Sequence, residues 1–104
     1  MSADAGNACT AVVERVLHGH GRSSVAQRRA AFENRGVPEP MRGLVDKVTR
    51  HAWTVTDEDV AGPKAAGVTE DEIFELVIAA SLGQSTRQLE AALAALDAAA
   101  RRTP

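Results

Sequence analysis

The chain has 104 residues and a 44% apolar fraction that is inflated by alanine: 20 of its 46 apolar residues are Ala, and only 25 are Val, Ile, Leu, Met, Phe or Trp. That length holds one domain, and so few bulky side chains favour a small helical unit that completes its burial against a second copy of itself. The net charge of −2 gives no general pull toward nucleic acid, the single Cys9 excludes an intramolecular disulfide, a Cys-x-x-Cys pair and a cysteine zinc site, and no apolar run is long enough for a membrane span.

Residues 1–6 are small and polar and read as a loose terminus. From Asn7, Cys9, Val12, Val13, Val16, Leu17 and His20 recur at three- and four-residue steps, the stripe of an amphipathic helix that ends at His18-Gly19-His20-Gly21. A second helix follows a Ser23 or Ser24 cap, with Val25 and Phe32 inward, Gln27, Arg28 and Glu33 outward, and Gly36 as its stop. Pro38-Glu39-Pro40 is a stiff connection. A third helix is predicted from about Met41 to about Trp53, with Met41, Leu44, Val45, Val48 and Ala52 buried and Arg42, Asp46 and Arg50 as an outward ladder.

Two capping signals come next. Thr56, with carboxylates at 57–59, opens a helix that Pro63 keeps short or kinked and Gly67 closes. Thr69-Glu70-Asp71-Glu72 is a capping box flanked by Val68 and Ile73 as a hydrophobic staple. The helix it starts is apolar almost all round from Ile73 to Leu82, which marks it as central and buried. Gly83-Gln84-Ser85 is predicted to end it. A last helix then carries Leu89, Leu93, Leu96 and Ala100 on one stripe, among alanines that favour helix and allow close packing. No segment alternates with a strand's two-residue period, so the fold is read as all-α, a compact bundle of about five to six helices.

The run Ala66-Gly67-Val68-Thr69-Glu70-Asp71-Glu72-Ile73-Phe74-Glu75-Leu76, with Ala79-Ala80 and later Arg87, Leu89 and Ala92-Leu93, resembles the AhpD-like superfamily of alkylhydroperoxidase D and carboxymuconolactone decarboxylase proteins. The resemblance covers roughly residues 41–97. It implies an all-helical fold assembling as dimers, trimers or hexamers. In the peroxidase members it also implies a Cys-x-x-Cys pair, a histidine one turn later and an upstream glutamate. Here the thiol positions fall near Ala52 and Val55 and the histidine position near Asp59, so the dithiol chemistry has no residues to run on. Glu39 is the nearest counterpart of the relay glutamate.

The remaining chemistry-bearing residues are few. Cys9, on the apolar stripe, reads as a small buried hydrophobe. His18 and His20 lie two apart and face differently, His20 toward the core, so no metal site is expected. His51 and Trp53 sit just ahead of the emptied site, and His51 beside Asp57 or Asp59 has the means of a general base. The simpler reading makes it a helix-end histidine. Arg22, Arg28, Arg29 and Arg35 form a basic cluster better explained by a solvated face or a contact with an acidic neighbouring subunit than by nucleic acid.

The sequence therefore leads to a loose N-terminus over 1–6, a single helical domain over 7–101 with an AhpD-like core at 41–97, and a loose C-terminus over 102–104. The expected function is that of a non-catalytic, cytoplasmic, homo-oligomeric binding or interaction protein without thiol peroxidase activity. It needs no cofactor, and a pocket near His51, Trp53 and Asp59 would take an unidentified small molecule. The alternative is a carboxymuconolactone decarboxylase-like enzyme with a non-thiol acid/base site near His51, for which Asp59 and Glu39 are the other candidates.

Overall fold

Capping chemistry starts three of the five α-helices in the computed structural model, which describes residues 3–102, with side chains from Thr10 to Arg102. The fold is all-α, with 78% of residues helical and no strand among those described. Helix α1 (Ala3–His18) begins before Asn7, the expected start, and the Cys9 side chain lies outside the described residues.

Helix α2 (Val25–Glu33) opens on a capping box in which the Gln27 amide donates to Ser24 Oγ at 3.1 Å and the Ser24 amide donates to Gln27 Oε1 at 2.8 Å. It ends earlier than predicted. Asn34, not Gly36, takes the left-handed cap at φ 50°, where its amide returns to the carbonyls of Ala30 and Ala31. The assignment of inner and outer faces is also corrected: Val25 is exposed, while Arg28 and Ala31 are the buried residues of α2. Small Ala31 faces a crowded crossing, and Arg28 is drawn inward by the end of α1.

Helix α3 (Arg42–His51) buries Leu44, Val45 and Val48 as its spacing predicts and passes into a 3-10 turn (Ala52–Thr54) in which Ala52 is exposed. Of the predicted ladder, Arg50 binds Asp46 at 2.8 Å. Arg42 turns back to donate to the Val37 carbonyl at 2.9 Å. Helix α4 (Asp57–Ala65) is short, carries Pro63 buried in its last turns, and closes at Gly67, whose φ of 100° suits glycine. The predicted box at Thr69 forms: the Glu72 amide donates to Thr69 Oγ1 at 3.2 Å and the Thr69 hydroxyl to Glu72 Oε1 at 2.9 Å.

Helix α5 (Glu70–Arg102) then runs unbroken for 33 residues, about 50 Å at helical rise, through the point where a stop was predicted. Gly83 is not a terminus but a crossing. A Cβ there would overlap the Phe32 carbonyl oxygen, so only glycine lets the end of α2 lie this close to α5. Arg87, one turn on, donates from Nη1 to the same carbonyl at 2.7 Å. It thereby satisfies an acceptor that the ending helix leaves without an internal partner. Fully buried Ala79 and Ala80 continue the close approach, and α2 with α5 is the most extensive helix contact of the fold.

The core lies where α2, α3 and α5 meet, built from Ala31, Val37, Met41, Leu44, Val45, Val48, Ile73, Leu76, Ala79 and Ala80. Two packing expectations are corrected. Phe74 points outward and is 66% exposed, because Ile73 and Leu76 occupy the core face on either side of it. The alanines of 91–97 are exposed, so the close packing expected of them is not made within the chain. Gly83→Ala should cost at least about 2 kcal/mol in urea unfolding, since backbone must shift. Gly43→Ala, whose Cβ meets nothing within 4 Å, should stabilise by about 0.5 kcal/mol.

Candidate functional site

The residues singled out by the sequence fall in three separate places. His51 closes α3 and is exposed, and the 3-10 turn after it, tied by the Thr54 hydroxyl donating to the His51 carbonyl at 2.7 Å, swings Trp53 alongside. The two rings meet edge to face with centroids 5.3 Å apart. Trp53 is 81% exposed, so this pair is a surface feature and not the wall of a pocket.

Asp59 lies in the first turn of α4 and spends its carboxylate on structure. Oδ2 accepts from Lys47 Nζ at 2.8 Å, from the Thr56 amide at 2.8 Å and from the Thr56 hydroxyl at 3.1 Å. The Lys47 bond, followed by the Thr56 amide, holds its pKa below the ordinary aspartate value. A carboxylate so occupied is a helix cap and α3–α4 tie rather than a general base.

Glu39 borders a groove of about 420 Å³ between the end of α2 and the start of α3, lined also by Asn34, Arg42, Asp46 and Arg50. Asn34 Nδ2 and Arg50 Nε both donate to Asp46 Oδ1, at 3.1 and 2.8 Å, which lowers the Asp46 pKa. Charges of both signs share the groove and neutralise each other. A second groove lies between α4 and the start of α5, bordered by Val60, Phe74 and Val77. Neither groove is lined by His51, Trp53 or Asp59.

The four arginines do not form one face. Arg28 is 5% exposed and its Nη1 donates to the carbonyls of Val16 and Gly19 at 2.9 and 2.6 Å, closing the C-terminal end of α1 where a cation is favoured. Arg22, Arg29 and Arg35 are exposed. His20 is exposed rather than core-facing, and His18 sits 3.5 Å from Glu14. Among the described residues no group of three or more His, Cys, Asp and Glu is placed to hold a metal ion.

One polar centre was not visible in the sequence. Glu75, on α5 between Phe74 and Leu76, accepts from the Ser23 hydroxyl at 2.6 Å, the Ser23 amide at 2.8 Å and the Arg22 amide at 2.9 Å. A Cβ at Gly21 would press on the same carboxylate. Burial alone would raise the Glu75 pKa; the bonds from Ser23 and Arg22 and the nearby Arg28 charge outweigh it and hold the group below its ordinary value. A glutamate inside an apolar run was the available signal, but its partners are more than fifty positions away in sequence.

Searches against protein-family models, curated proteins and solved structures return no match. The chemistry visible at Glu75 is that of a latch: a carboxylate collects the free amides of the α1–α2 loop and fixes α1 to α5. Because its folded pKa is depressed, the stabilisation is complete above the unfolded value near 4.5 and is lost as pH falls through the lower folded value. Glu75→Gln should therefore cost about 1–3 kcal/mol at pH 7, and the gap from the parent chain should narrow as urea unfolding is repeated toward pH 3.

Proposed function

We propose that the chain is a non-catalytic, self-associating helical interaction module, a diverged AhpD-like protein of the reducing cytoplasm. The observation that carries this reading is the bulky apolar surface of α5: Phe74, Leu89, Leu93 and Leu96 are all 40–67% exposed in a chain with few large apolar side chains to spare. A monomer rarely leaves such a set in water unless it meets a partner. The groups that acid/base catalysis would need are dispersed: His51 is exposed, Asp59 is held by Lys47 and Thr56, and Glu39 borders a different groove. Among the described residues no helix is long and apolar enough to cross a membrane.

The decarboxylase-like alternative requires His51 and a carboxylate facing one cavity, and no observation favours it. Light scattering across a dilution series tests the proposal. The expected mass at tens of micromolar is at least twice the 10.9 kDa of one chain, with no turnover of a peroxide or a lactone acid. A monomer throughout, or turnover abolished by His51→Ala, would overturn it.

A further inference from the structure

We infer that the assembly is an antiparallel pairing of the outer face of α5 with the same face of a second copy; this rests on the self-association proposed above and specifies its surface and direction. Helix α5 gives the core Ile73, Leu76, Ala79, Ala80 and Gly83. At 100° per residue the opposite side carries Phe74, then Ile78 and Leu82, then Ser85 and Leu89, then Ala92 and Leu96. From Ile78 onward the steps alternate four and three, with leucine at every seventh position (82, 89, 96) and Ile, Ser and Ala between. A strict heptad seam of this kind packs against another helix, and the small residues at 85 and 92 permit a close approach.

The second half of the seam has no cover. Every residue from Gln88 to Asp97 is exposed, so the last third of α5 stands clear of the bundle. A helix of that length is marginal alone in water, and its leucines have an obvious complement in the same seam of a second copy.

Charge decides the direction. The first turn of α5 holds Glu70, Asp71 and Glu72, and the last holds Arg101 and Arg102. Parallel pairing would align like ends and like helix dipoles. Antiparallel pairing sets each acidic end at the level of the partner's basic end. With Ser85 on the two-fold axis, Leu82 lies across from Leu89 of the partner subunit, and Ile78 across from the partner's Ala92. Phe74 lies across from the partner's Leu96. Ser85 meets its own copy at the centre with leucine against leucine on either side, and the paired stretch from 74 to 96 is about 33 Å long.

Disulfide trapping tests the register without disturbing the seam. In a Cys9→Ser background, Ser81→Cys and Gln88→Cys border the seam at positions that face each other only in the antiparallel pair. On mild oxidation, a mixture of the two variants should give about tenfold more cross-linked dimer than either alone. Independently, Leu89→Glu with Leu96→Glu should raise the dimer dissociation constant about a hundredfold or more. The far-ultraviolet helix signal of the bundle should persist, with loss confined to the uncovered end of α5, since both side chains are exposed in the single chain. If light scattering shows an oligomer but the mixture cross-links no better than its components, or the double variant dissociates no more readily, the α5 pairing falls and self-association stands. If the parent chain is monomeric at every concentration, both fall.

Discussion

The fold depends on how closely one carbonyl lies to one glycine. Phe32 ends α2 with its oxygen directed at α5, and the missing side chain at Gly83 is what makes room for it. Arg87 then binds that oxygen from the next turn. The crossing fixes α2 against α5, and with α2 come Ala31 and the path through Val37 that brings α3 onto the same core. It also places Arg28, on the same short helix, beneath the last carbonyls of α1. A steric gap and a charge-assisted hydrogen bond at one place thus position three of the other helices.

This crossing explains how far the sequence could be read. Helix starts were legible because a cap is a local event: Ser24 with Gln27, Thr56 with Asp59 and Thr69 with Glu72 act within three residues of themselves. The buried stripe of α3 was legible for a related reason, since one helix face meets one core. Gly83 was misread because glycine within a helical pattern is ambiguous. It weakens the helix locally, and only a neighbour tens of residues away shows that the vacancy is filled by another backbone. Arg28 was placed outward because a guanidinium is usually solvated, and the carbonyls that draw it in belong to another helix. Of the site candidates, Asp59 was correctly located at a helix start, but Lys47, which takes its carboxylate, lies on α3. Glu75 stood in plain view with nothing nearby to show its partners.

The two faces of α5 divide the molecule's roles. The inner face carries the small residues and short apolar groups that build the core, and the outer face carries leucines that the core does not use. The alanine excess has the same division. Ala79 and Ala80 serve internal packing, whereas the alanines of 91–97 are exposed and keep a long arm helical. The polar groups are spent on joints: Glu75 on the α1–α2 loop, Arg28 on α1, Asp59 on α4, Asp46 on the end of α2.

Those joints are unequal in kind, and that has a consequence for motion. Helices α2, α3 and α5 are held by a shared apolar core, while α1 among its described side chains buries only Leu17, packs Val16 partly against the core, and is otherwise moored by the Glu75 latch and the Arg28 plug. A helix fastened by hydrogen bonds at one end, with little apolar burial among its described side chains, opens at lower free energy than the body it rests on. Helix α1 is thus a detachable unit whose amides exchange with solvent well before those of the α2–α5 crossing. Because the latch is a carboxylate, acid would release α1 first, leaving the four helices α2 to α5 folded around Gly83.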